Sequence, residues 1–176
     1  MSFCVIDTER IKGDLIYLLA YQIYNDTFDL VESKTFQDVS ISLNNRKSPK
    51  RKVQDLKEAS IKVSSFLDLF QQIKPIIESN TLIVFSKTDI GVLRRNCKNH
   101  NLVSSPITYI DVQEALAALC TNDKKKSNLK DYCKKNNIKY HAHIPEDDCR
   151  ATFTVYVKLI SQYGDNFLDE FKHRKI

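Results

Sequence analysis

No apolar run in this 176-residue chain approaches the ~20 residues of a membrane helix, so a membrane-embedded protein is not expected. A secreted protein is not expected either. The chain opens directly into Phe3-Cys4-Val5-Ile6-Asp7, without a charged segment and cleavage site. Cysteine lacks any useful pattern: Cys4, Cys97, Cys120, Cys133 and Cys149 are odd in number, scattered, and form no Cys-x-x-Cys pair. Neither a disulfide framework nor a zinc ribbon is indicated, and His141 and His143 have no regular zinc-finger spacing to a cysteine. Free thiols in a reducing cytoplasm are the expectation. No internal repeat is visible.

What is present suffices for one domain spanning residues 1–176. A 20.4 kDa chain should bury roughly 70% of its unfolded surface, and 42% hydrophobic residues supply the material. Lys and Arg number 27 against 22 Asp and Glu, a net charge of +5 that identifies no partner by itself. The distribution says more. Arg46, Lys47, Lys50, Arg51, Lys52 and Lys57 form one basic cluster, and Lys124, Lys125, Lys126, Lys130, Lys134, Lys135 and Lys139 form another. Such clusters read either as solvated faces or as sequence-independent phosphate contacts to a nucleic acid. Acidic residues gather instead at Asp7 with Glu9 and at Glu146-Asp147-Asp148.

Periodicity predicts strands at 2–8, 15–24 and 29–36, with Asn25-Asp26 as the hairpin turn. A polar, basic stretch containing Pro49 predicts a flexible loop at about 43–54. Phe66, Leu69, Phe70, Ile73, Ile76 and Ile77 follow helical spacing, with Pro75 expected to bend that helix. A short buried strand at 81–85 precedes a helix at 89–99 that Thr88 would cap. A strand at 107–110, a helix at 112–119 and a basic helix at 128–136 follow. A long helix should start near Pro145 and end at Gly164, with a terminal helix at 165–173. The order implies an α/β fold: a mixed central sheet, three antiparallel strands then parallel ones, flanked by helices.

Asp7 and Glu9, at the end of the first predicted strand, project from the same side of the chain by the two-residue strand period. Two carboxylates in one small volume repel unless a counter-charge joins them, and a hard divalent cation such as Mg²⁺ is the usual one. Asp89 follows a second short strand, and Asp148 lies five residues after His143 at the start of the long helix. Four carboxylates and a histidine are thus candidates for one site. Asp147 is the rival of Asp148, but neighbours on a helix point ~100° apart, so only one can face the same centre.

The chain resembles the DEDDh branch of the ribonuclease H-like 3′→5′ exonucleases, typified by the proofreading epsilon subunit of bacterial DNA polymerase III. Phe3 to Glu9 looks like the family's first motif, an apolar strand ending in Asp-x-Glu. Leu82 to Arg94 is similar to the second, and Thr108-Tyr109-Ile110-Asp111 to the strand after it. The segment from Asn128-Leu129 to Ile138 resembles a family helix, and His143-Ile-Pro-Glu-Asp-Asp148-Cys-Arg-Ala-Thr the third motif, His-x4-Asp-Ala-x-Ala-Thr. The match spans nearly the whole chain.

The resemblance implies Asp7, Glu9, Asp89, His143 and Asp148 as catalytic residues, the four carboxylates holding two Mg²⁺ ions, with Mn²⁺ able to substitute. His143 would be the general base. Thr8, Arg10, Phe85 and Ser86 occupy positions implied to contact the terminal nucleotide, and Lys124, Lys125 and Lys126 would guide the strand. Departures from the family pattern are visible: Phe85-Ser86 stands where His-Asn is usual, Thr88 replaces an aromatic, and Arg10-Ile11-Lys12-Gly13 follows Asp-x-Glu in place of small residues. The implied activity is metal-dependent 3′→5′ removal of nucleotides from single-stranded DNA in proofreading or repair, beside a polymerase or clamp. The alternatives are an RNA 3′-end trimming ribonuclease and a nucleic-acid-binding module of the same fold with little turnover. Phe66-Leu67-Asp68-Leu69-Phe70 is similar to a clamp-binding peptide, but its aromatics fall on the apolar stripe of a helix, which favours core packing.

Overall fold

The computed structural model of the protein describes residues 2–11, 14–41, 60–103, 105–119, 128–139 and 141–175. Alternation along the first strand decides the layering. In β1 (Phe3–Ile11), Cys4 and Ile6 enter one hydrophobic core while Val5 enters another, so the sheet is buried on both faces. β1 pairs antiparallel with β2 (Leu15–Tyr24), and β2 antiparallel with β3 (Leu30–Asp38). The parallel half adds β5 (Leu82–Val84) beside β1 and β6 (Ile107–Asp111) beside β5.

Two edge strands escape the sequence pattern. β4 (Ile61–Val63) runs parallel to β3, and β7 (Lys172–Lys175) runs antiparallel to β6, giving the sheet order β4-β3-β2-β1-β5-β6-β7. β7 corrects the expected terminal helix: helical structure stops after one short segment at Asp165–Asp169, and the chain then joins the sheet edge. Its sequence Lys-His-Arg-Lys carries no apolar alternation, and charged side chains suit an edge strand that must not recruit another.

On one face lie α1 (Phe66–Ser79) and α2 (Thr88–Asn99), which bury Phe66, Leu69, Phe70, Ile73 and Ile77, and Ile90, Val92, Leu93 and Cys97. Phe66 and Phe70 are therefore core, as the periodicity predicts, while Leu67 between them is exposed. Ser65 caps α1 by accepting from the Asp68 amide at 3.2 Å. Thr88 does not cap α2. It is the first helical residue, and Lys87 before it has helical dihedrals and no side-chain cap bond. Against the opposite face lie α3 (Val112–Leu119), α4 (Leu129–Lys135) and α5 (Pro145–Tyr163), followed by α6 (Asp165–Asp169). α5 opens on Pro145, whose missing N–H would have no helical partner there, and ends at Gly164, whose φ of 84° favours glycine. The expected loop at 43–54 lies outside the described residues. Among the described residues, no helix is long and apolar enough to cross a membrane.

Candidate active site

The alternation that splits β1 between two cores also aims its polar end. Asp7 and Glu9 continue the parity of Val5 and face α5, whereas Thr8 continues that of Ile6 and faces α2. β1 runs on past Glu9 to Ile11, so the pair sits inside the strand and not at its end. A register shift between Glu9 and Arg10 marks a bulge immediately after the pair, a local twist of the kind that re-aims side chains beside functional sites.

From the other side, the first turn of α5 supplies Asp148, only 7% exposed. Ligand atoms of Asp7, Glu9 and Asp148 all lie within 4.8 Å of one another. Asp89 reaches the same region from α2. Its Oδ1 accepts from the Thr8 hydroxyl at 2.7 Å and from the Thr8 amide at 3.3 Å, bonds that tie the second acidic element to the first. His143, on the loop before α5 with φ 65°, places Nδ1 3.3 Å from Glu9 Oε1 while its side chain stays largely in solvent. The five residues nominated as catalytic thus converge, from one strand, two helices and one loop.

Crowding shows in the electrostatics. Burial, reinforced by the charges of Asp89, Asp148 and Glu9, pushes the Asp7 carboxyl well above the usual range. Asp89 is pushed up to about 6 by burial, against the opposing pull of the Thr8 hydrogen bonds and the Arg10 guanidinium. Such a cluster of hard oxygen donors carries more negative charge than it can hold unaided. The donor set fits divalent Mg²⁺ or Mn²⁺, which take oxygen ligands, and offers no sulfur or second nitrogen for a softer metal. Cys149 does not compete: its thiol is buried, raised well above the normal value by burial and then by the neighbouring Asp7, and donates to the Val5 and Ala20 carbonyls.

The residues nominated for nucleotide contact divide. Thr8 is engaged by Asp89 as described, and Arg10 pairs with Asp14 at 2.8 Å. Phe85 packs against the core under α3 and α5, and Ser86 Oγ lies 3.1 Å from Thr88 Oγ1, inside the turn that starts α2. Lys124, Lys125 and Lys126 lie outside the described residues.

Sequence reasoning missed the residues that hold the site in shape. Asp111, 2% exposed at the end of β6, accepts from the Lys87 and Glu114 amides at 3.0 and 2.9 Å and so fixes the turn that presents Asp89. Its place immediately before a helical run was a usable capping signal. Asp147 accepts from Arg150 at 2.9 Å, and its Oδ2 lies 2.6 Å from His141 Nδ1, which clamps the loop carrying His143 onto α5. Burial opposes ionisation of Asp147, but the Arg150 and His141 hydrogen bonds outweigh it and hold the carboxyl below its usual value. Thr35 donates to Glu146 at 2.5 Å and Gln22 to the Glu146 carbonyl at 3.2 Å, anchoring the start of α5 to β2 and β3. No local pattern announces either bond.

The mixed seven-stranded sheet with helices on both faces is a ribonuclease H-like fold, the fold of solved DEDDh exonucleases. The nuclease domain of 3′hExo, a DEDDh family member, bound to rAMP, superposes with a TM-score of 0.70 over 93% of this chain and 94% of that one, at 13% identity. Exonuclease X in complex with 5′ overhanging duplex DNA matches at 0.58 over 95% and 98%, with 14% identity. E. coli Exonuclease I in complex with a dT13 oligonucleotide matches at 0.66 over 96% of this chain and 43% of that chain, with 15% identity. At these identities the likeness establishes the fold alone. No family model matches the chain, and neither does any curated protein.

Proposed function

We infer that the protein is a metal-dependent 3′→5′ exonuclease acting on single-stranded DNA. The observation that carries this reading is the convergence of Asp7, Glu9 and Asp148 within 4.8 Å, on a fold whose solved examples include DEDDh exonucleases. Asp7, Glu9, Asp89 and Asp148 would hold two Mg²⁺ ions, with Mn²⁺ able to replace them. When bound, the ions would neutralise phosphoryl oxygens, acidify the attacking water and stabilise the leaving 3′ oxygen.

The chain's own contribution is positional. Asp7 shares its 4.8 Å cluster with Glu9 and Asp148, and Asp89 is aligned by Thr8. Glu9 steadies the His143 ring through Nδ1, which leaves Nε2 to take the proton of the water and release it to solvent. Asp147, Arg150 and His141 keep that loop in reach of the carboxylates.

A ribonuclease is the second reading, favoured by the rAMP-bound state of the 3′hExo structure. The parallel to a proofreading subunit, a polymerase or clamp partner and a cytoplasmic setting belong to the proposal too; the setting is supported by Cys4, Cys97, Cys133 and Cys149, all buried and free. The test is to incubate the protein and Asp7→Ala with 5′-labelled single-stranded DNA and RNA, with Mg²⁺, Mn²⁺ or EDTA, and resolve products by length. A ladder shortening from the 3′ end that needs both metal and Asp7 is expected, stronger on DNA. A stronger RNA ladder would establish the second reading, and no ladder on either strand would overturn both.

A further inference from the structure

α2 leaves the acidic site carrying a feature of opposite sign. After Asp89, the positions Gly91, Arg94, Arg95 and Lys98 follow the i, i+3, i+4, i+7 spacing of one helical stripe. This stripe lines a groove of about 680 Å³ that Cys97, Asn101, Leu102 and Lys175 complete. Lys175 lies opposite Ile107 across the β6–β7 pair, and Ile107 belongs to the core on the α2 side, so the lysine faces α2 from the sheet edge. Half of the eight lining residues are cations and none is an acid, and of the four cations Arg95 is shared with Asp14 outside the lining, so the groove favours anions.

Arg95 is held in place by its neighbours. Arg95 Nη2 is 2.8 Å from Asp14 Oδ2, and its Nη1 lies 3.4 Å from where a Cβ on Gly91 would stand, so the side chain folds back towards the acidic site. Arg94, one residue before Arg95 on the same helical stripe, lines the groove as well. At 1.5 Å per residue, Lys98 stands ~13 Å along the helix from Asp89. That is roughly the rise of four nucleotides of one strand at ~3.4 Å each.

We propose that this groove is a phosphate-backbone track for nucleic acid, holding the strand upstream of the terminus presented to the carboxylates. The track's role in feeding the site rests on the exonuclease reading, whereas its affinity for a strand does not. The chemistry is specific to a polyanion. Guanidinium forks match phosphate oxygens in pairs, and a line of cations is what a strand approaching four carboxylates needs to offset their repulsion. Contacts of this kind read the backbone and not the bases.

The test is binding of a 5′-labelled oligothymidylate by fluorescence anisotropy, in EDTA so that no strand is cut, across a salt series. Arg94→Glu/Lys98→Glu is expected to weaken binding at least about tenfold at low salt. It should also flatten the slope of log K against log salt by about 1.4, or ~0.7 for each phosphate of a single strand that the variant no longer neutralises. Lys175→Glu, on a different element, should act in the same direction. Lys34→Glu/Lys74→Glu, an equal change of net charge elsewhere, should weaken binding less, with a smaller change of slope. Weakening confined to a variant whose melting temperature has collapsed, without the effect of Lys175→Glu, overturns the track, as does an unchanged slope in both groove variants. A protein that cuts DNA with groove-independent binding refutes the track alone. One that binds through the groove and cuts nothing refutes the exonuclease and leaves the track standing.

Discussion

Asp7 and Asp89 are the residues whose environment most strains their ordinary chemistry, and each makes a measurable demand on pH. A carboxyl whose folded pKa is raised binds its proton more tightly in the folded than in the unfolded state. The stability it contributes is fully present below the unfolded value and is lost as pH rises through the folded one. For Asp89 that window runs from the ordinary value of 3.8 to about 6, and Asp7, raised well above the same ordinary value, acts in the same direction. Asp147 and Glu32 have lowered values and act oppositely, losing their contribution as pH falls through the acid range. The metal-free protein should therefore lose melting temperature as pH rises through about 6, the value of Asp89, with Asp7 adding to the fall. Asp7→Asn should flatten that fall and raise the metal-free melting temperature at neutral pH, while cutting exonuclease turnover by at least about 10³-fold. Thermal melts in EDTA at about pH 5 and about pH 7.5, beside a turnover assay, check the pair, and a metal-free Asp7→Asn protein no more stable than wild type at about pH 7.5 would sink the claim of strain. In the proposed mechanism Asp147 acts by position, through its bonds to His141 and Arg150. Asp147→Asn should lower turnover by ~10–100-fold with KM little changed, and shift its pH profile as His143 loosens.

Secondary elements differ in how openly their sequences announce them, and the difference has physical causes. α1 was legible because its apolar stripe repeats with helical period and every member of it reaches the core or its margin. α5 was legible through its Pro145 start and Gly164 stop. The central strands declared themselves through long apolar runs. β4 and β7 did not, since each holds only three or four residues at a sheet edge, where burial imposes no alternation. Local motifs likewise exposed the candidate site, because Asp7 with Glu9 and His143 with Asp148 are each set by one short segment. The bonds that unite these segments, Thr8 to Asp89 across 81 residues and Gln22 to Glu146 across 124, leave no trace in spacing. The elements also differ in what their removal costs. Leu69→Ala removes a fully buried side chain from α1 and should cost about 2–5 kcal/mol, against about 1 kcal/mol for removing the Ser65 cap with Ser65→Ala. Urea melts of both variants test the ranking, and equal costs would mean that α1 is held by its end and not by its face.

Across the whole molecule the charges are separated: acidic side chains converge where β1, α2 and α5 meet, and cations line the groove along α2. On the proposed reading this separation would give the folded protein a binding energy for divalent cations that the unfolded chain lacks, since only the fold assembles residues from positions 7 to 148. A ligand bound only by the folded state, at about a hundred times its dissociation constant, contributes ~2.7 kcal/mol. For a chain of this length that is a rise in melting temperature of about 5–10 °C. Mg²⁺ or Mn²⁺ should produce such a rise at about pH 7.5, and a smaller one near pH 5, where protons held by Asp7 and Asp89 compete with the ion. Asp148→Ala should abolish the rise without unfolding the protein, because the carboxylate it removes relieves repulsion at Asp7. Calorimetric scans with and without metal decide the matter. An equal metal-induced shift in wild type and Asp148→Ala would place the cation elsewhere on the surface and remove the carboxylate cluster from the mechanism.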